Sequence, residues 1–291
     1  MSDAAGRAGR PGGAGRPDRP THERITSLTN ERVKAAVRLR ERRERERTGL
    51  TIVDGAREIL RALDAGVAVE AAFLAEEVIR APDALAVADR LRGRPTTIQA
   101  SPAVLGKVAF GERSDGVVAI VRTPDRTFAE LVLAENPLIV VVEGVEKPGN
   151  LGAVLRSADG AGVDAVIAAD PLTDVFNPNA IRASLGTIFT VPVVSAPAPA
   201  TLDWLVRRRI RPVAAVVDAA ADYASVDLRG PTAIVLGSEA EGLTPTWRDP
   251  RVQAVAIPMA GVADSLNVSI AAAVLLYEAV RQRRAMPETP N

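Results

Sequence analysis

The stretch LIVVVEGVEKPGNLGAVLRSADGAG, residues 138–162, decides the fold. Its first part, LIVVVE (138–143), is apolar up to its last residue and does not alternate, as in a strand buried on both faces. A turn broken by Gly144, Pro148 and Gly149 follows. A helix is expected from about 150 to 161, stopping at Gly162. Strand, turn and helix open a crossover unit, and the same alternation runs to the end of the chain. Further strands are expected at AVIAA (165–169), TVPVV (190–194), VAAVV (213–217), TAIVL (232–236) and AVAI (254–257). Helices fall near 178–184, at 201–209 and at 266–284. Apolar strands separated by helices predict an α/β domain over residues 137–291, with a parallel sheet covered on both faces.

Upstream, residues 23–123 read as a smaller α/β unit. Asn30 caps a first helix, RERRERER (40–47) follows, and LTIVDG (50–55) is a strand and turn. AREILRALDAG (56–66) is amphipathic, VEAAFLA (69–75) is a strand, and a helix near 82–92 leads to a strand at 95–99. A short helix in 101–110 and a strand at 116–122 close the unit. Residues 124–136, where the pattern fails around two prolines, are the expected linker. Residues 1–22 hold Gly, Pro, Arg and Ala with almost no large apolar side chain, so they are expected to be a disordered basic tail.

The chain has 291 residues, room for two domains. It has no Cys, which excludes disulfides, thiolate nucleophiles and Cys-ligated zinc. The one His, His22, lies in the tail, which argues against a Ser-His-Asp triad or a multi-His metal site, and no metal is expected. Aromatics are only 3%, too few for a row of base-stacking platforms. Neither a secretory signal nor an 18-residue uncharged apolar run is present, so no membrane span is expected and the location expected is cytoplasmic.

Lys+Arg and Asp+Glu are both 36, a formal charge of zero. That balance is uneven: residues 1–50 carry 13 basic and 7 acidic residues, net +6. Residues 51–136 carry 10 and 13, and residues 137–291 carry 13 and 16, each net −3. The 40–47 run reads as a solvated helix face with i,i+4 pairs, or as a surface turned to phosphates.

Four segments of the second half break their pattern at strand ends, where open α/β sheets bind ligands. After 138–143 the Walker A signature fails, because Asn150-Leu151 stands where Lys-Ser/Thr is required, and no G-x-G-x-x-G appears. Asn150 also fits a plain helix cap. Arg156, on a mainly apolar segment, is a surface charge or a cation placed to stabilise an oxyanion. In FNPNAIRASLGTIFTVP (176–192), Asn177-Pro178 is a cap and first helical residue, and Arg182 projects from the short helix. In IVLGSEAEGLT (234–244), Gly237 and Gly242 bracket Ser238, Glu239 and Glu241, a ligand loop or a solvated turn. In AIPMAGVADSLNVSIAAAVLLYEAVRQ (256–282), Ser265 is the expected cap of the last helix, whose low charge suggests a subunit interface.

Taken in order, these segments resemble the three motifs of the SpoU (TrmH-like) branch of the SPOUT RNA methyltransferases. The first is Asn150-Leu151-Gly152-Ala153-Val154-Leu155-Arg156-Ser157-Ala158, and the second Leu236-Gly237-Ser238-Glu239-Ala240-Glu241-Gly242-Leu243. The third is Ile257-Pro258-Met259-Ala260-Gly261 followed by Ser265-Leu266-Asn267-Val268-Ser269. The likeness covers about half the chain. The front unit looks like the ribosomal-protein-like substrate-binding domain found before many such catalytic domains.

The resemblance implies a deep trefoil knot in the C-terminal domain and a homodimer formed through the knot and the C-terminal helix. It implies S-adenosyl-L-methionine as cofactor, held at Leu236, Gly237, Ile257, Met259, Ser265 and Leu266. The implied reaction is methylation of a ribose 2′-hydroxyl, with Arg156, Asn150, Glu239, Ser265 and Asn267 as catalytic residues. Asn150 and Glu239 are expected to orient Arg156 or the ribose. The implied partner is RNA, 23S ribosomal RNA rather than tRNA because of the front domain, with Arg182, Arg40 and Arg43 as phosphate contacts. Two rivals stand beside this: a Rossmann oxidoreductase, which the absent glycine fingerprint disfavours, and a non-catalytic RNA-binding protein on a decayed methyltransferase fold, which the retained motif residues disfavour.

Overall fold

The computed structural model describes residues 24–111 and 115–285. The expected tail at 1–22, with His22, lies outside the described residues.

The front unit runs α1 (Glu31–Arg38), α2 (Arg42–Thr48), β1 (Leu50–Asp54), α3 (Ala56–Asp64), β2 (Val69–Leu74), α4 (Pro82–Leu91), β3 (Thr97–Gln99), α5 (Pro102–Val108) and β4 (Val117–Arg122). Its four strands pair in the order β1-β4-β2-β3, with β4 antiparallel to both neighbours and β2 parallel to β3. Asn30 caps α1 by accepting from the Arg32 amide at 2.9 Å, and Ser101 caps α5.

The second unit runs β5 (Leu138–Glu143), α6 (Pro148–Ala161), β6 (Ala165–Ala169), α7 (Pro178–Ala183), α8 (Thr187–Thr190), β7 (Val193–Ala196), α9 (Ala198–Arg207), β8 (Arg211–Ala215), β9 (Thr232–Leu236), β10 (Gln253–Val255) and α10 (Val268–Arg284). Its six strands are all parallel in the order β10-β8-β9-β5-β6-β7. The uniform apolar runs follow from two-sided burial. In β5, Leu138, Val140 and Val142 pack with α6 and α10, while Ile139 and Val141 pack with α9 and Trp247. Each such side chain, taken fully from water, contributes roughly 1.5–3 kcal/mol. The order reverses between β5 and β9, so a crevice opens at their carboxyl ends.

Several boundaries differ from expectation, and three of them have a plain physical cause. The strand expected at 190–194 is instead the end of α8 followed by β7. Ser184 and Thr187 already turn the chain helically through their hydroxyl bonds to Ile181 and Ser184 carbonyls, and Pro192 has no amide for a ladder. β8 begins at Arg211 and leaves the sheet before Val217, which is exposed. α6 starts at Pro148, so Asn150 lies within its first turn and makes no cap.

The two units share one apolar cluster, running from Val53, Ala56 and Ile59 to Ala180, Ile181 and Phe189. Thr51 Oγ1 donates to the Phe176 carbonyl at 2.8 Å, and Arg61 to the Leu185 carbonyl at 2.6 Å. The expected linker is packed as well: Phe128 stacks on Trp204 at 4.7 Å and Leu131 is buried. The arginine-rich run is half structural. Arg42 pairs with Glu46 at i,i+4. Arg45 is buried, donates to the Leu39 and Arg40 carbonyls, and meets Asp174 of the second unit at 2.5 Å.

Removing one partner of a buried ion pair leaves the other charge uncompensated. Asp174→Ala is therefore expected to lower unfolding free energy by about 3 kcal/mol, read by denaturant titration. A loss within the error of the titration would contradict the role given to this pair.

Candidate functional site

β8, β9 and β10 end at Ala215, Leu236 and Val255 along one edge of the parallel sheet. A cleft of about 220 Å³ opens there. Its walls are apolar, from Ala215, Val216, Leu236, Ile257, Met259 and Leu266, with Val268 and Ala271 of α10 behind them. Gly237, Ser238 and Glu239 form one rim, Asp264 and Ser265 another. Leu236, Gly237, Ile257, Met259, Ser265 and Leu266, the residues expected to hold a cofactor, thus lie in a single cleft.

The loop after β9 is a small closed hairpin. Ser238 N donates to Gly242 O at 3.1 Å and Gly242 N to Ser238 O at 3.0 Å. Gly242 sits in the left-handed region at φ 69°. A Cβ on Gly237 would collide with the Gly242 backbone, so the turn closes this tightly only with glycine there. The hairpin carries Glu239 over a second pocket of about 70 Å³, bounded by Val145, Lys147 and Asn150.

Three segments meet at that carboxylate. Asn267, not Ser265, caps α10: its Oδ1 accepts the Ser269 amide at 2.9 Å and hydroxyl at 2.6 Å. Residues 265 and 266 are still extended loop, which places the cap two residues later than expected. Capping fixes the amide, so Nδ2 points outward and donates to Glu239 Oε1 and to Asn150 Oδ1, the latter at 3.3 Å. Lys147 Nζ donates to Glu239 Oε2 at 2.8 Å. The Lys147 ammonium holds the Glu239 carboxyl below its ordinary value, the Asn150 and Asn267 amides add to this, and Glu239 in turn raises Lys147. Glu239 is thus an ionised acceptor fixed by two donors, the Lys147 ammonium and the Asn267 amide.

Arg156 is not brought to this cluster within the chain. It follows Asn150 by six residues, which on an α-helix places it about 120° around the axis. It is exposed, and its side chain makes no hydrogen bond or ion pair among the described residues. Asn150 and Glu239 therefore do not orient it here. On the same helix edge one turn later stands Gly160, with the Tyr277 hydroxyl of α10 above it. Tyr277 and Ile270 are large exposed side chains of α10.

The expected phosphate contacts divide. Arg40 is exposed but held, donating to the Lys107 and Ala109 carbonyls at 2.9 and 2.5 Å. Arg43 is exposed and unpartnered among the described residues. Arg182 lies across the seam over Gly111, 4.0 Å from the Asp54 carboxylate. Burial pushes the Asp54 carboxyl up, against the amides of Phe110 and Gly111 and the Arg182 charge. Among the described residues no group of three His, Cys, Asp or Glu is placed to hold a metal ion.

Reading the sequence missed Lys147 and Asp264. Lys147 had one signal, being the last lysine of the chain and standing at a strand-end turn. Asp264 had none, since one acidic residue in a Gly/Ala loop is ordinary.

The SpoU rRNA Methylase family profile matches residues 137–277, and an MRM3-like substrate binding domain profile matches residues 30–119. A 23S rRNA (uridine(2479)-2′-O)-methyltransferase of Streptomyces viridochromogenes is 32% identical, covering 91% of this chain and 94% of its own. A crystal structure of an RNA 2′-O ribose methyltransferase superposes with TM-score 0.79 at 42% identity, over 90% of this chain and 100% of that one. The SpoU methyltransferase AviRb of Streptomyces viridochromogenes, solved in complex with the cofactor AdoMet, superposes with TM-score 0.79 at 33% identity, over 88% and 99%.

Because the Glu239 pKa is depressed, the Lys147–Glu239–Asn267 contacts are complete above the ordinary carboxyl value of 4.5 and are lost as pH falls through the lower folded-state value. An NMR titration of the Asn267 side-chain amide should therefore stay flat from neutral pH down to 4.5. A midpoint at or above that value would contradict the geometry.

Proposed function

The chain belongs to the SpoU rRNA methylase family, and from that premise we propose how its site works. It is an S-adenosylmethionine-dependent methyltransferase that methylates a ribose 2′-hydroxyl of ribosomal RNA. One observation carries the reading of the site: an apolar cleft at the strand ends whose rim bears the Lys147–Glu239–Asn267–Asn150 cluster.

The cleft suits the cofactor. An adenosyl group needs an apolar slot with backbone donors and acceptors at its edge. Leu236, Ile257, Met259 and Leu266 offer the slot, and the open backbone at Gly237 and Ser265 offers the edge. When bound, S-adenosylmethionine supplies an electrophilic methyl carbon on a sulfonium. The remaining requirement on the protein is to hold the 2′-oxygen in line with that carbon, where orientation contributes much of the rate.

We assign Asn150, Glu239, Asn267 and Ser265 to holding the acceptor ribose and the loops around it. Arg156 stabilises negative charge on the 2′-oxygen. A guanidinium stays protonated and is a poor base, so its contribution is electrostatic. Glu239, held ionised by Lys147, is also a weak proton acceptor, and the proton passes to a phosphate of the substrate. One turn after Arg156 on α6, Gly160 lies under Tyr277 of the exposed Ile270–Tyr277 face of α10, the face we assign to a homodimer. Residues 137–291 are the catalytic domain, tied as a deep trefoil knot. This agrees with α10 lying against both α6 and β9 and gripping residues 226–230 through Gln282 and Arg283. Residues 23–123 hold RNA, with Arg43 of that unit and Arg182 of the second unit toward phosphates, and residues 124–136 join the two. The substrate is 23S rRNA. No helix among the described residues is long and apolar enough to cross a membrane, and we place the enzyme in the cytoplasm.

Tritium transfer from labelled S-adenosylmethionine into total RNA tests the assignment, and no incorporation into any RNA would sink it. Arg156→Ala should retain S-adenosylhomocysteine affinity while transfer falls by about a hundredfold or more, the scale of losing one oxyanion-stabilising donor. Loss of cofactor affinity together with folding would mark Arg156 as structural.

A further inference from the structure

Glu143 ends β5 and is only 2% exposed. No cation pairs with it among the described residues. Both of its oxygens are taken by one distant residue: Oε2 accepts the Thr244 amide at 2.8 Å, and Oε1 accepts the Thr244 hydroxyl at 2.7 Å. Thr244 is where the hairpin after β9 leaves the cleft and turns down toward the buried Trp247. The hairpin's own start is fixed by the close approach of Gly237 to Gly242.

We infer that Glu143 is a positioning residue for methyl transfer: a buried carboxylate clamp on the exit of the 237–243 hairpin that sets where Gly237 and Glu239 stand. The inference rests on the methyltransferase reading of the cleft. A buried carboxylate is costly unless its acceptors are satisfied, and a β-strand end facing α9 and Trp247 has no need of one for packing. The bidentate hold on a single residue fixes both the height and the rotation of the chain at Thr244. The hairpin is only six residues from Ser238 to Leu243, so little slack separates that anchor from Glu239. Glu143 touches neither cleft. It acts through Thr244 and the hairpin.

The test uses the full chain and reads three quantities: S-adenosylhomocysteine affinity by calorimetry, the rate of tritium transfer to RNA, and the thermal midpoint. Glu143→Gln should stay close to the unmodified protein, because its amide still accepts from the Thr244 N–H and can donate to the hydroxyl. Glu143→Ala should keep a cooperative transition yet lose about a hundredfold in kcat, the scale of an ångström-level misplacement, with KM for RNA unchanged. Wild-type affinity and rate in folded Glu143→Ala would overturn the inference, and so would Glu143→Gln failing as badly as Glu143→Ala. Should Glu143→Ala not fold, Thr244→Val decides, since it removes one of the two bonds outside the sheet: a reduced kcat supports the clamp, an unchanged one overturns it. If the unmodified protein methylates no RNA, the methyltransferase reading fails, and the affinities of the variants still decide the clamp.

Discussion

β5 and β9 pair in parallel with Val142 opposite Leu236, so the loops that leave them start side by side. The rest of the site depends on that register. It brings the turn with Lys147 and Asn150 beside the hairpin with Glu239, which allows one carboxylate to take an ammonium from one segment and an amide from another. It also leaves Glu143 within reach of Thr244 on the opposite face. A slip of one residue would turn every β5 side chain to the wrong face.

The electrostatics of the chain look different with the fold in hand. Zero net charge hid a basic front end, whose arginine-rich run read either as a solvated helix face or as a surface turned to phosphates. Much of that front charge is spent inside the molecule. Arg40 serves helix-end carbonyls, Arg42 pairs along its own helix, and Arg45 joins the two halves. Charge counted along a sequence measures field only where the side chains stay in water, and in this front unit several do not.

How much the sequence disclosed varies with the range of the interaction that matters. β5, β6 and β9 were legible to the residue, because two-sided burial writes an unbroken apolar run. The short α8 was not, since its apolar residues Ile188 and Phe189 also fit a strand and its turn is set by hydroxyls of Ser184 and Thr187. Among site residues, Asn150, Glu239 and Asn267 stood in readable motifs, and the structure brings those three together. Their partner Lys147 had only its place in a strand-end turn to mark it. Arg156 shows the opposite limit: its place in the motif was plain, while its angle around α6 separates it from the residues it was expected to meet. The cap of α10 moved from Ser265 to Asn267 because both are capping residue types, and only the backbone path decides between them.

The packing of Phe128 on Trp204, with Thr51, Arg45 and Arg61 stitched across the seam, leaves no slack between the halves. Flexible tethers let two modules search independently and gain by effective concentration. A chain without such a tether works as a ruler. Whatever the front half touches, the cleft stands at a fixed offset from it. The place the cleft reaches on anything bound by the front half is then set by distance and angle.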